Sequence, residues 1–415
     1  METLCQETGL EMGLEMKELD GEACLQLRPL WEEVFWEDSE AFTSYYFQEK
    51  AGNNYGLALV NHEGPVSMLY LSPYSLKLRT GDLFQAEVMD YIVGVATRKE
   101  YRKRGYMNVL LRKALYKMHE KKRPFAFLMP ADPAIYRPYQ FAYIYDKVKY
   151  CLEDIAVGEP AGEQEEAQLA DFAMELLEAR YDVFFERDAA YYHQMAKELA
   201  VQNGGIRIFR ERKEGQQEAG ALTGYLMYSQ EEAIAQVQEV ILQQEMNRVP
   251  GMVFQKKEPV IMARIIDVQA FLQLLRSREE AIEWVLEVRD PLLESNQGIW
   301  RCCLWPDRAI VEKLSVESDR AGAADRKDQE AEKGPEGDRS EAADREIREA
   351  EKDPEAGRQV QICRAEIQGL TEWAFGHGSA EACFYDLGSG SSREHNLGIL
   401  AGICHFDRVF INEIV

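Results

Sequence analysis

The chain has 415 residues, room for about three domains at ~150 residues each, and its 46% apolar and 29% charged residues are the make-up of a soluble globular protein. With 73 acids against 48 bases the net charge is −25. That argues against nucleic-acid and anionic-membrane partners, which need a positive surface to meet phosphate, and fits neutral or cationic ones. No run of 18 apolar residues offers a membrane span, and Glu2, Glu7 and Glu11 precede any base where a secretory signal would be positive. The eight cysteines show neither metal-ligand spacing nor a disulfide framework, so the expectation is a protein of the reducing cytoplasm with no metal.

Residues 24–50 read as helical. Leu25, Leu27, Leu30, Trp31, Val34 and Phe35 recur at near-helical spacing, and Asp38-Ser39 supplies a cap for a second helix. Leu57–Val60 and Val66–Leu71 are predicted strands around an Asn-His-Glu-Gly turn, and Leu76–Leu78 and Phe84–Met89 continue in the same manner. Residues 91–97 (Tyr-Ile-Val-Gly-Val-Ala-Thr) form the near-continuous apolar run of a central strand covered on both faces. A helix is predicted from Tyr106 to Glu120. Met107, Leu110, Leu111, Ala114, Leu115 and Met118 make its apolar stripe, Lys121-Lys122-Arg123 suits its negative end, and Pro124 stops it. Phe125–Met129 then reads as a strand, so this stretch is a crossover unit joining a parallel pair.

Residues 151–258 repeat a mixed pattern without a glycine-rich turn, and residues 259–415 open on the apolar segment Ile261–Leu275. Within the latter, residues 317–358 hold 15 acids and 9 bases, with Ile347 as their one sizeable apolar side chain. Such a stretch buries too little to offset the entropy of ordering, and a flexible charged insertion is expected there.

The segment Arg98–Arg123 carries eleven bases and two acids, +9 in a chain of −25. A solvated basic helix face explains the charge but not its place. Arg102-Lys103-Arg104-Gly105 lies between the central strand and the helix start, where unpaired backbone N–H groups and the helix dipole favour an anion. Gly105 lets a phosphate approach the backbone, so the turn reads as a pyrophosphate cradle. The dinucleotide Gly-x-Gly-x-x-Gly and the Gly-Lys-Ser/Thr phosphate loop are both absent.

Val93-Gly-Val-Ala-Thr-Arg-Lys-Glu-Tyr-Arg102-Lys-Arg-Gly105-Tyr-Met-Asn resembles the Arg/Gln-x-x-Gly-x-Gly/Ala signature of the GNAT acetyltransferases, with Met107 in place of the last small residue. A large apolar residue there is similar to the enhanced intracellular survival (Eis) family. So is Ala131-Asp132-Pro-Ala-Ile135-Tyr136-Arg137-Pro138-Tyr139-Gln-Phe141 to that family's Ile-Tyr-x-x-Phe-Gly segment. The fold class this resemblance implies is α+β. It comprises a mixed-sheet GNAT domain at 1–150, a shortened degenerate GNAT-like domain at 151–258, and a sterol-carrier-protein-like α/β domain at 259–415, opening near Arg264–Val268 and split by the charged insertion.

The implied reaction moves an acetyl group from acetyl-coenzyme A to a primary amine of an aminoglycoside-, polyamine- or lysine-like acceptor. Val95, Ala96 and Thr97 would hold the pantetheine arm. Lys103, Arg104, Gly105, Tyr106, Met107 and Asn108 would hold the pyrophosphate, with Ala131 and Asp132 beside the cofactor. Tyr136 is the candidate general acid, since a phenol with a pKa near 10 is protonated at neutral pH and can donate to the leaving thiolate; Tyr139, Tyr143 and Tyr145 compete. The resemblance implies the C-terminal carboxylate of Val415 as base, with Glu413 as fallback, and the apolar tail Phe406–Val415 fits a buried end. Phe35, Trp36 and Glu37, with Trp31 and Asp38, offer ring faces and charge to a cationic acceptor, although an amphipathic helix with its cap gives the same pattern. Family members are often hexamers, so a homo-oligomer is implied. Two other readings stay open: a non-catalytic coenzyme A-binding regulator, and a hydrophobic-ligand carrier acting through the C-terminal domain.

Overall fold

A computed structural model describes residues 13–211, 220–231, 234–244, 249–314 and 362–412. The insertion expected at 317–358 and the proposed base Val415, with its fallback Glu413, lie outside the described residues.

The strands are β1 (Glu15–Asp20), β2 (Tyr55–Asn61), β3 (Gly64–Thr80), β4 (Leu83–Thr97), β5 (Phe125–Leu128), β6 (Ala142–Leu152), β7 (Glu159–Pro160), β8 (Val183–Phe185), β9 (Gly205–Arg210), β10 (Leu222–Glu231), β11 (Ile234–Leu242), β12 (Met252–Ile265), β13 (Ile282–Arg289), β14 (Gly298–Leu304), β15 (Ala309–Lys313), β16 (Ile362–Glu366), β17 (Phe384–Asp386) and β18 (Val409–Phe410). The helices are α1 (Arg28–Val34), α2 (Glu40–Tyr45), α3 (Tyr106–Glu120), α4 (Pro133–Tyr136), α5 (Glu166–Arg180), α6 (Ala189–Val201), α7 (Val268–Leu272), α8 (Ile367–Ala374), α9 (Ala380–Cys383) and α10 (Ser391–Ala401).

One mixed sheet runs β1-β2-β3-β4-β5-β12-β6-β11-β10-β9-β7, with β8 on β3 and β18 on β8; a second sheet runs β15-β14-β13-β16-β17. The predicted crossover is present: β4, α3 and β5 connect a parallel pair, Asp90 opposite Ala126 and Tyr91 opposite Phe127. The separate strands expected at 66–71 and 76–78 are one long strand, β3. Those at 84–89 and 91–97 are likewise one, β4, so the two form a single hairpin pairing residues 67–80 with 83–97. The helical stretch expected at 24–50 is broken. A 3-10 turn covers Gly21–Leu27, α1 ends at Val34, Ser39 Oγ caps α2 by accepting from Phe42 N–H at 3.1 Å, and a π-helical turn covers Tyr46–Lys50.

Strand β12 enters between β5 and β6 and pairs antiparallel with both. The expected boundaries at 150/151 and 258/259 fall inside β6 and β12. A strand shared between neighbours buries its backbone groups on both edges, and this welds the halves of the sheet.

Helix α3 buries Leu110, Leu111, Ala114, Leu115 and Met118 in the main core. Its end lacks the usual glycine. Lys122 takes φ +54, and Arg123 N–H reaches Met118 O at 3.0 Å, the six-to-one closure of a left-handed C-terminal turn. Arg123 Nε then meets the buried Asp90 of β4 at 3.0 Å, so helix and strand ends are tied. Two buried ion pairs join distant elements. Arg264 of β12 grips Asp290, and Arg187 grips Glu239 of β11.

Of the described tail, Phe406, Val409, Ile411 and Asn412 are buried, while Asp407 and Arg408 are exposed. Phe406 and Ile411 are in the main core, and Asn412 Nδ2 donates to Gln238 O at 2.7 Å. No helix among the described residues is long and apolar enough to cross a membrane.

Candidate active site

Strand β4 leaves its neighbour β5 after Tyr91, so Ile92–Thr97 are paired on the β3 side alone among the described residues. On that side the register advances from Tyr70–Val93 to Met68–Ala96, three residues of β4 against two of β3. The extra residue makes a β-bulge at Gly94–Val95, which bends the strand and deepens the gap. Gly94 is required there twice over. Its φ is +63°, and a Cβ would lie 2.7 Å from the Trp31 ring and 3.0 Å from the Tyr70 ring. The opening therefore presents the expected Val95, Ala96 and Thr97 along an open strand edge. Beyond it, Arg102 Nε donates to Thr97 O at 3.1 Å and closes the end of the strand.

The chain turns from β4 into α3 through a 3-10 turn at Lys99–Tyr101 and two left-handed residues, Lys103 at φ +63° and Gly105 at φ +81°. A lysine in that region is a local strain of the kind that collects at functional loops. Gly105 has no side chain to cap α3, and nothing lies within 4 Å of where its Cβ would stand. The first helical bond runs from Val109 N–H to Gly105 O, so the amides of Met107 and Asn108 have no acceptor within the helix. Lys103, Arg104 and Asn108 are exposed around them, while Tyr106 is buried against Tyr101, ring centroids 6.2 Å apart. Arg104 donates to Glu100 O at 2.9 Å and lies over the Tyr101 ring, and Arg98 pairs with Glu33 of the segment bearing Trp31.

The other wall of the opening is the connection from β5 to β6. Ala131 and Asp132 are exposed there, and Asp132 Oδ1 accepts from Ala134 N–H at 2.9 Å and caps α4. At the end of α4, Tyr136 is 7% exposed and packs edge-on against Phe141. No side chain among the described residues hydrogen-bonds its hydroxyl. Burial, with Tyr139 beside it, pushes its pKa up to about 12, so it holds its proton throughout the neutral range.

On the helical side of the bulge Trp31 is buried, stacked on Tyr46 at 4.4 Å, and donates Nε1–H to Asp38 Oδ2 at 2.9 Å. Burial raises the Asp38 pKa, the Trp31 bond opposes the rise, and Glu37 adds to it. Trp36 is 75% exposed and Glu37 is exposed beside it; Phe35 is half-buried against Trp31. Lys50, at the end of the π-helical turn, pairs with the buried Glu198 of α6 at 2.6 Å and fixes these helices against the middle of the chain.

The structure thus gathers the β4 edge, the cradle turn and the Tyr136 turn around one opening, with Trp31 touching its bulge. Trp36 and Glu37 stand outside those contacts. Sequence reading did not find the Lys103 conformation or the Trp31–Gly94 contact. Of these, Val-Gly-Val inside an apolar strand was the one local signal, since a glycine there marks a bulge.

Residues 15–144 match the family model described as the acetyltransferase (GNAT) domain. Three crystal structures share the fold over 97% of this chain and 100% of their own. They are a conserved protein of unknown function from Enterococcus faecalis V583, a probable N-acyltransferase (14% identity, TM-score 0.67), a GCN5-related N-acetyltransferase from Anabaena variabilis ATCC 29413 (14%, 0.66), and Eis1 from Mycobacterium abscessus (10%, 0.62). No curated protein matches the chain in sequence. At such identities the likeness is one of fold, and it extends beyond the matched domain to nearly the whole chain. The opening described above lies inside the matched span: the chain carries an acetyltransferase domain of the GNAT type.

Proposed function

We propose that the protein transfers the acetyl group of acetyl-coenzyme A to a primary amine of a cationic acceptor, aminoglycoside-, polyamine- or lysine-like. The observation that carries this reading is the bulged, one-sided β4 edge running into a basic turn and an uncapped helix start. An extended pantetheine arm fits such an edge as an added strand, and a diphosphate fits the amides and positive charge at its end. Residues outside 98–123 sum to −34, which draws cations toward the molecule.

In this account the neutral amine attacks the thioester carbonyl and forms the C–N bond. The C–S bond breaks, the Tyr136 hydroxyl donates to the sulfur as negative charge develops there, and a base takes the proton released from the nitrogen. We assign that base to the Val415 carboxylate, with Glu413 as fallback; the burial of Ile411 and Asn412 just before it supports the assignment. Phe35, Trp36 and Glu37 would meet the acceptor, the exposed indole offering its face to a cation. The same reading assigns a degenerate GNAT-like domain to the middle of the chain, a sterol-carrier-protein-like domain to the second sheet, and a homo-oligomer, a hexamer by resemblance, to the whole.

The test is release of free thiol from acetyl-coenzyme A on addition of a polyamine, an aminoglycoside or a blocked lysine, using protein with no C-terminal extension. Amine-dependent release supports transfer. Coenzyme A binding with no release under any amine would leave the non-catalytic reading in its place.

A further inference from the structure

We propose that Tyr139 and Arg112 are positioning residues that turn the side-chain amide of Asn108 so that its N–H groups face a diphosphate at the start of α3; this rests on the acetyl-coenzyme A reading of that site. Arg112 Nε lies 3.2 Å and the Tyr139 hydroxyl 3.0 Å from the same Asn108 oxygen. A guanidinium only donates, so the atom it meets is the carbonyl oxygen, and the tyrosine hydroxyl must donate to it as well. The amide nitrogen with its two N–H groups therefore points away from both. No other residue among those described takes these N–H groups.

Tyr139 is itself held from behind. Arg264, fully buried on β12, donates Nη1–H to Tyr139 O at 2.8 Å. Its Nη2 meets both oxygens of Asp290 at 2.7 and 2.6 Å. Asp290 also accepts the amides of Leu292 and Leu293 and an N–H of Asn296. A ring fixed at its backbone by a buried ion pair and at its hydroxyl by Asn108 leaves the amide one orientation. Burial raises the Tyr139 pKa and the Arg112 charge opposes the rise, which fits the two donors lying close together. The Tyr136 turn and the cradle are in this way one unit, braced by a residue more than a hundred positions downstream.

Asn108 occupies the third position of α3, in the first turn. A carboxylate there suits the positive end of a helix and would still accept from Arg112 and Tyr139. It would, however, set an anionic oxygen where the amide offers donors. Stability and coenzyme A affinity should therefore move in opposite directions in Asn108→Asp, which a purely structural role of this residue would not produce.

The test is calorimetric titration of the full-length protein with coenzyme A, with thermal melting alongside. We expect Asn108→Asp to melt no lower than wild type and to bind at least about tenfold more weakly, one donor bond being replaced by charge repulsion. Tyr139→Phe should weaken binding by about three- to tenfold, the range of one hydrogen bond, and should add nothing in an Asn108→Ala background. Wild-type binding with Asn108→Asp within about twofold of it would overturn this inference and leave the proposed function standing. Absence of coenzyme A binding in wild type itself would overturn the proposed function.

Discussion

The large sheet opens in two places, and the two openings are built differently. Strand β4 leaves β5 after Tyr91, and strand β11 leaves β6 after Val237. Both diverging strands carry a bulge. In β4 it falls on Gly94–Val95; in β11 the step from Tyr228–Val237 to Met227–Glu239 makes Gln238 the extra residue. After β4 come a basic turn and the four-turn helix α3. After β11 only nine residues separate Leu242 from Met252, too few for such a helix.

The second gap is also occupied by the protein's own chain. Gln238 O accepts from Asn412, and the Glu239 carboxylate is gripped by the fully buried Arg187 at 2.5 and 2.7 Å and by Tyr225 at 2.7 Å. What remains is a cavity of about 440 Å³ bordered by Tyr145, Tyr150, Tyr181, Phe410 and Asn412. A bulged, splayed strand thus does not by itself leave an open edge. The first opening has a glycine bulge, an open edge and a helix start with free amides; the second has a glutamine bulge, a buried ion pair and a docked tail.

Substitutions in matched positions sharpen this contrast. Tyr136→Phe should lower turnover by about 10²- to 10⁴-fold while leaving coenzyme A affinity near wild type, the loss expected of a general acid. Steady-state rates and titration together would show this; unchanged turnover would remove Tyr136 from the reaction. Because the Tyr136 pKa stands at about 12, the alkaline fall in rate, if any, should not begin below about pH 11 on its account.

In the second opening, Glu239→Gln should leave Arg187 buried without a counter-charge and cost about 3–5 kcal/mol of stability. Calorimetric melting measures it, and a loss below about 1 kcal/mol would mean that the ion pair does not secure the tail. Burial opposes ionisation of Glu239, but Arg187 outweighs it and holds the carboxyl ionised, with help from Tyr225 and Asn412.

The bulges themselves can be exchanged for test. Gly94→Ala meets two rigid rings at a positive φ and should cost about 1–3 kcal/mol together with activity, whereas Gln238→Ala should cost less than about 1 kcal/mol. Equal costs would erase the distinction drawn between them.

The smallest effect belongs to Glu18 at the outer edge. Burial pushes its pKa up, but hydrogen bonds from Tyr55, Lys113 and Lys117 outweigh this and hold it at about 2, down from 4.5. A depressed folded-state pKa stabilises above pH ~4.5 and that contribution is lost as pH falls toward 2. In Glu18→Gln the acid limb of the melting curve should become slightly shallower; an unaltered limb would show that the exposed cluster contributes nothing.

Much of the first opening was legible in the sequence because its signals are local. The apolar run at 91–97, the basic turn, Gly105 and the amphipathic stripe of α3 lie within thirty consecutive residues, and periodicity reads such stretches directly. The bulge was not read, since register depends on the partner strand as well as on the glycine. Neither was the welding of the sheet, because β12 joins β5 and β6 from over a hundred residues away. The Arg264–Tyr139 and Arg187–Glu239 bonds also join residues 125 and 52 positions apart, and although Arg264 sits in an apolar run, its partners are not marked by anything local. In the apolar tail, Phe406, Val409, Ile411 and Asn412 are buried, and nothing in its sequence showed that it docks against β11.

The account turns on the start of α3 receiving the diphosphate of coenzyme A. Gly105 tests this most directly, because both aspartate and asparagine tolerate its left-handed backbone and its Cβ direction is open, so the two substitutions differ in charge alone. Titration calorimetry should find coenzyme A bound by wild type, retained in Gly105→Asn and lost in Gly105→Asp. Equal affinity in Gly105→Asp and Gly105→Asn would contradict it.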